Sequence, residues 1–266
     1  MSDKRDFKAI MVEHAEDMAS RPSVPRTHTE DRNCLSWWFP RIQGAGLPVP
    51  KTHVITTEVP LIEMVDRKSP LGLDLFLTAL RTAADDVGYP AFLRTGQGSG
   101  KHQWEETCFI QSTSNIGQHV FNLVEWSECV DMLGLPYHVW AVREYLPVRP
   151  LYRCTRYGNM PIVKEWRAFV EDARVAYVNP YWPLEALEQG APDCKTWADS
   201  YDGDFAASPQ TTTTIEQLAS AAGFACGGRW SVDILETING LYVTDMAIAN
   251  RSWGYDESRF LGCTQD

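Results

Sequence analysis

Two spacings of apolar residues alternate along this chain. Residues 71–84 carry apolar side chains at 71, 73, 75, 76, 77, 79 and 80, a density that suits a helix packed on a sheet better than a lightly buried surface helix. Residues 120–133 read as a second helix and 214–224 as a third. Between them, β-rich runs lie at 52–56, 91–94, 104–111 and 138–146, the last one buried and closed by Pro147. Two hairpins follow. One joins 166–170 to 174–178 around Glu171-Asp172; the other joins 230–235 to 241–245 across Ile238-Asn239-Gly240, whose Asn-Gly pair is a strong turn signal. Residues 190–214, rich in Ser, Thr, Asp and Pro and carrying four consecutive Thr, read as a loop.

The first 32 residues are polar, with a short helix expected at about 6–19 and a proline-interrupted connection at 21–28. After them Trp37-Trp38-Phe39 concentrates aromatic surface. Core packing is the preferred reading of that run, and partner docking is the alternative. Gly44 to Pro50 (GAGLPVP) then ends a helix and leads into the strand at 52–56. No internal repeat is visible.

A chain of 266 residues is long enough to bury a core as one large domain or two small lobes. Its 44% hydrophobic and 22% charged residues are ordinary globular usage, whereas ten Trp are more than usual. A net charge of -11 disfavours wrapping a phosphate backbone and so argues against a nucleic-acid partner. Seven Cys occur without a CxxC pair, which argues against a zinc ribbon, a redox dithiol or a disulfide framework. Reduced thiols of a cytoplasmic protein are the expectation. The charged start has no apolar signal core, and no run is long enough to span a bilayer, so export and membrane insertion are not expected.

Three groups of residues carry candidate chemistry. The loop Gly96-Gln97-Gly98-Ser99-Gly100-Lys101 offers small residues around which backbone N–H groups approach an anion, with Lys101 adding charge. It is not a Walker loop, because only three residues separate Gly96 from Gly100 and His102 stands where Ser or Thr is required. Strand, loop and strand suggest a hairpin lid. Asp233 and Asp245 lie on neighbouring strands of the last hairpin, and two carboxylates sharing one cleft call for a cation between them; hard oxygen ligands of this kind suit Mg²⁺. Finally, Arg94, Arg143, Lys164 and Arg167 sit in or beside strands that read as buried, where cations need anionic partners. A triphosphate would supply them; so would internal pairs with Glu144, Glu165 and Asp233.

Taken in order over residues 45–255, these segments resemble the ATP-grasp superfamily, and most of all its compact subgroup that includes the eukaryotic cell-division-cycle chaperone for assembly of a translation initiation factor and related phage and bacterial proteins. The resemblance implies an α+β fold, two lobes of largely antiparallel sheet around a nucleotide cleft, with residues 1–50 as an N-terminal portion, 51–136 as the first lobe and 137–266 as the second. It also implies ATP and Mg²⁺ as cofactors. Arg94 would face the α- or β-phosphate, Gly98, Ser99 and Lys101 would lie on the mobile loop over the phosphates, and Arg143, Glu144, Tyr145 and Leu146 would meet the nucleotide. Lys164 and Arg167, in a segment similar to the E-x-R-x-F-V strand, would stabilise transferring phosphate oxygens. Asp233 and Asp245 would hold metal. The usual acid-x-Asn ending is absent, since Ala247 follows Asp245, which leaves Asn250 as the substitute amide ligand.

The activity implied by the resemblance is an ADP-forming ligase that phosphorylates a carboxylate and passes the acyl phosphate to an amine or similar nucleophile. Its substrate would be a small molecule or a protein bearing a carboxylate. The alternative is an ATP-binding assembly chaperone or protein-binding module without ligase turnover.

Overall fold

The computed structural model describes residues 31–130, 134–184, 187 and 197–261; the helix expected at 6–19 and the connection at 21–28 lie outside the described residues. Its first sheet contains β1 (Thr52–Thr56), β2 (Ala91–Thr95), β3 (Phe109–Ile110) and β4 (Val139–Glu144), in the order β1-β4-β2-β3. Every pairing is antiparallel. β4 lies within the span 137–266 yet sits between β1 and β2, so this sheet draws a central strand from beyond residue 136. Alternation along the strands sorts the side chains. Leu93, Trp140 and Val142 pack under α2 (Leu73–Val87) and α3 (Ile116–Cys129), with Leu80, Val120 and Leu123 above them. Phe92, Arg94 and Arg143 line the space beyond the opposite face.

The second sheet has the order β10-β9-β7-β8, from β7 (Glu165–Glu171), β8 (Arg174–Pro180), β9 (Arg229–Thr237) and β10 (Gly240–Ile248). Trp166, Ala168, Trp230, Val232 and Ile234 pack with α1 (Leu35–Gly44) and α5 (Pro209–Cys226). Trp38 and Phe39 are buried in this core, and Trp37 stacks on Trp230 at 5.6 Å with the Arg41 guanidinium 3.6 Å from its ring. The aromatic run is therefore core, because a helix laid across a sheet needs broad apolar side chains at consecutive turns. α5 approaches the β7–β8 turn so closely that a Cβ at Gly223 would fall 2.0 Å from the Asp172 carbonyl oxygen.

Two elements differ from the sequence reading. The stretch at 190–214 was expected as loop, but α4 (Trp197–Phe205) lies within it and α5 starts at Pro209; residues 190–196 are outside the described residues. Ser208 caps α5, its hydroxyl accepting from Thr211 N at 3.1 Å, and Pro209 occupies the first turn. The Thr213 and Thr214 hydroxyls donate to carbonyls one turn back, both at 3.0 Å. A Ser-Pro start thus outweighs the weak helix preference of the Thr run. In addition, residues 104–108 form turns, leaving β3 only two residues long, and β5 (Tyr152–Cys154) with β6 (Met160–Ile162) makes a separate two-stranded ribbon. Trp104, Tyr157, Met160 and Trp182 bury this ribbon in a third, aromatic core. Among the described residues, no helix is long and apolar enough to cross a membrane.

Candidate functional site

Between the two sheets, on the faces turned away from their helices, lies a cleft of about 820 Å³ including its open mouth. Its lining is of two kinds. Phe92, Trp104, Tyr145, Leu146, Met160 and Trp182 supply apolar and aromatic surface, while Arg94, Lys101, Arg143, Glu144, Glu165 and Asp245 supply charge. Just past the end of β4 the chain carries Tyr145 and Leu146 along the cleft wall.

The glycine loop reaches the cleft in a folded, anchored form. Thr95 N donates to Gly98 O at 2.9 Å, Gly98 N donates back to the Thr95 hydroxyl at 3.1 Å, and Leu35 N donates to Gly96 O at 2.8 Å. A Cβ at Gly98 would meet the Trp126 ring at 2.5 Å. Gly100 takes a left-handed conformation, φ 58°, which a residue without Cβ adopts freely. Close packing on α3 therefore accounts for these glycines, and Gly98 does not line the cleft. The loop's contribution is Ser99 and Lys101, which do.

Cross-strand register assembles the charged row. Arg167 pairs with Asp233 between β7 and β9, and Asp233 pairs with Asp245 between β9 and β10. Directly opposed residues share a face. The row depends on a bulge between Val243 and Asp245: Val243 and Met246 both pack into the helix-side core, while Thr244 and Asp245 both line the cleft. Without the extra residue, strict alternation would turn Asp245 to the same side as Val243.

Each carboxylate of that row already has a cation. Arg167 grips Asp233 with two hydrogen bonds, Nε to Oδ1 at 2.7 Å and Nη2 to Oδ2 at 2.8 Å. Arg94 Nη1 lies 2.8 Å from Asp245 Oδ1. Glu165 is held more loosely, with Lys101 Nζ at 4.0 Å and the Thr244 hydroxyl at 3.3 Å. Lys101 Nζ and the Arg167 guanidinium carbon lie 4.0 and 4.6 Å from the centroid of the Tyr181 ring, contacts that stabilise both cations. Arg143 has no carboxylate contact of this kind. Its Nε donates to the Thr52 hydroxyl at 3.1 Å and its Nη1 to Thr244 O at 2.6 Å, while the buried Nη2 has no partner.

These contacts set the protonation states. Burial, and next the Arg94 guanidinium, push the Arg143 pKa down to about 9, against Asp245 and Glu144. Burial works against the Lys101 ammonium, yet Glu165, Tyr181 and Asp233 raise its pKa above the ordinary lysine value. Glu165 lies above the usual carboxylate range because of burial, which Asp233 reinforces and Lys101 opposes. For Asp245 burial is outweighed by Arg94, then Arg143 and Lys101, which hold it below that range.

Of the residues singled out in the sequence, Arg94, Ser99, Lys101, Arg143, Glu144, Tyr145, Leu146 and Asp245 line the cleft, and Arg167 and Asp233 adjoin it through Glu165, Lys101 and Tyr181. Lys164 does not line it; its ammonium is 3.5 Å from the Ala206 carbonyl oxygen. Asn250 is exposed in a 3₁₀ turn after β10 and does not line the cleft either. Glu165, Thr244, Trp104 and Trp182 line the cleft without having been singled out as ligand contacts. The bulge that puts Thr244 and Asp245 on the same side has no sequence signal, but Tyr181-Trp182 directly after a strand was a readable aromatic pair.

The donor set does not fit the Mg²⁺ site that the resemblance implies. Both Asp233 oxygens are committed to Arg167, and Asp245 Oδ1 is shared between Arg94 and its neighbour Met246 N at 3.0 Å. Position 247 is Ala, and Asn250 is outside the cleft. Among the described residues, no group of three or more His, Cys, Asp or Glu side chains is placed to hold an ion.

With its two antiparallel sheets enclosing this cleft, the chain has an ATP-grasp fold, α+β in class. It is similar to Cdc123 from Schizosaccharomyces pombe at 13% identity and a TM-score of 0.51, over 87% of this chain and 90% of that one. It is also similar to a RimK domain ATP-grasp protein from Sphaerobacter thermophilus (14% identity, TM-score 0.46, 87% of this chain) and spans 62% of that protein's length. A D-alanine–D-alanine ligase from Bacillus anthracis, solved with ATP, matches 81% of this chain and 53% of the ligase at 9% identity and a TM-score of 0.45. At such identities the likeness is one of fold. No protein-family model matches the sequence, and a search of curated proteins gives no significant match.

Proposed function

We propose that the cleft binds ATP and that the chain uses it to join a carboxylate to an amine. The observation carrying this reading is Arg143: a buried guanidinium with an unpartnered Nη2, beside Arg94 and Lys101 in a cleft whose remaining lining is aromatic and apolar. An unpaired buried donor of this kind is costly unless an anion meets it. Phosphate oxygens would meet Arg143, Arg94 and Lys101, and the base and sugar would lie along Tyr145, Leu146 and Met160.

In the proposed reaction a substrate carboxylate oxygen attacks the γ-phosphorus and the bond to ADP breaks. The amine nitrogen then attacks the carbonyl carbon of the acyl phosphate, phosphate leaves, and the amine proton passes to solvent. Arg167, Lys101 and Arg94 would stabilise charge on the transferring phosphoryl group, and no side chain need act as a nucleophile. The carboxylate belongs to a small molecule or a protein. A cytoplasmic setting agrees with the free state of Cys34, Cys108, Cys129, Cys154 and Cys226.

A second reading is favoured by the arginine pairing of Asp233 and Asp245: an ATP-binding assembly chaperone without bond formation. Calorimetric titration with ATP, ADP and AMP tests the shared premise, and absence of binding to all three would sink it. Product analysis then separates the readings. A ligase releases ADP and phosphate only when both co-substrates are present, whereas a chaperone gives little turnover.

A further inference from the structure

The ATP reading acquires a specific electrostatic form, which rests on that reading. We infer that the phosphate charge in this cleft is neutralised by fixed side-chain cations in place of a protein-held divalent ion, so that the nucleotide binds nearly as well without Mg²⁺ as with it. Asp245 is the only one of the proposed metal carboxylates that lines the cleft. It is bonded to Arg94 at 2.8 Å and also feels the charges of Arg143 and Lys101. With Arg94 and Met246 N both on Oδ1, a divalent ion entering there would meet Oδ2 alone and would stand among the charges of Arg94, Arg143 and Lys101. Asp233 is more firmly closed, since a bidentate arginine fork satisfies both of its oxygens in a geometry that matches a carboxylate well. The amide that would complete a metal site is absent, with Ala247 two residues after Asp245.

The anion side of the balance is well provided. Arg143 Nη2 is unpartnered, and the Lys101 ammonium is 4.0 Å from its nearest carboxylate oxygen, longer than a good charge-assisted hydrogen bond. Lys101, about a quarter exposed, can therefore meet a phosphate oxygen without first breaking a close pair, and Arg143 Nη2, buried in the free protein, has no partner to give up. Arg94 and Arg167 hold carboxylates in the seats that phosphate oxygens would take. Asp233 and Asp245 thereby act as internal competitors of the nucleotide, opposite in sign to their role in a metal site.

The test is calorimetry on the full chain with ATP, once in excess Mg²⁺ and once in EDTA with no divalent ion, repeated with Asp245→Asn. The expected result is a Kd in EDTA within about threefold of that in Mg²⁺, and binding by Asp245→Asn in EDTA equal to or tighter than wild type. Binding at least tenfold weaker in EDTA would overturn the inference while leaving the ATP reading intact. So would tenfold loss in a folded Asp245→Asn protein in Mg²⁺. No binding under either condition would overturn the ATP reading and this inference with it.

Discussion

Replacing Arg143 with Met separates what this residue does for the ligand from what it does for the fold. The side chain is only 4% exposed, and Met keeps the length of its aliphatic stem while removing the guanidinium. Two hydrogen bonds disappear, to the Thr52 hydroxyl and to Thr244 O, a loss of roughly 1 kcal/mol each in net terms. Against this, the fold no longer buries a charge beside Arg94 with one unpartnered donor. Removing a buried charge that has no close carboxylate partner relieves its desolvation cost, on the order of a few kcal/mol. The two effects oppose each other, so the unfolding free energy of the free protein should stay within about 2 kcal/mol of wild type, read from urea denaturation. Nucleotide binding should behave differently. A charge-assisted contact contributes roughly 1.5–3 kcal/mol, which converts to about 10- to 150-fold in Kd. Calorimetry on the same samples supplies that second readout. A variant that binds ATP within twofold of wild type would refute the assignment of Arg143 to phosphate, and one destabilised by more than about 4 kcal/mol would show that the guanidinium serves the fold.

Further outcomes follow from the same contacts. Asp233→Ala leaves Arg167 without its bidentate partner and should destabilise the protein by roughly 3–5 kcal/mol in urea unfolding, while not weakening ATP binding in EDTA. Gly98→Ala would drive a methyl into the Trp126 ring, and repacking should cost roughly 1–3 kcal/mol, visible as a lower Tm. Ser208→Ala removes the cap of α5 and should cost about 1 kcal/mol, with nucleotide affinity unchanged. In acid the two cleft carboxylates should act in opposite directions. Asp245, whose folded pKa lies below its ordinary value of 3.8, contributes stability that is present above that value and is lost as pH falls through the folded pKa. Glu165 is raised above 4.5, so its ionisation costs stability above the folded pKa and that cost vanishes on acidification. Tm profiles between pH 3 and 7 should therefore show Asp245→Asn less stable than wild type near neutrality and Glu165→Gln more stable, both differences shrinking toward pH 3; the reverse order would refute the assignment.

Local rules carried the sequence reading far where elements are self-contained. The helix-period run starting near residue 71, the turn at Asn239-Gly240 and the strand pair around Glu171-Asp172 follow from spacing and turn chemistry, and the structure has α2, β9–β10 and β7–β8 at those places. The order of the motifs was enough to indicate an ATP-grasp fold. Local rules failed at the Thr run, where a cap three residues upstream decided for helix, and at 104–108, where Trp104 turns into an aromatic core built from distant segments. For the cleft, the sequence supplied the identities of the charged residues on its strands and offered Glu144, Glu165 and Asp233 as internal partners, but not which cation meets which carboxylate. Whether Asp245 faces the cleft depends on a single bulge residue, and one added residue reverses every side chain beyond it. That Arg167 holds Asp233 is a consequence of β7 and β9, more than sixty residues apart, meeting in one register, while Arg94 holding Asp245 and the unpartnered Arg143 donor depend on how one sheet faces the other. Only tertiary structure fixes such a register, because it is set by the summed packing of both sheet faces and by no property of any one strand.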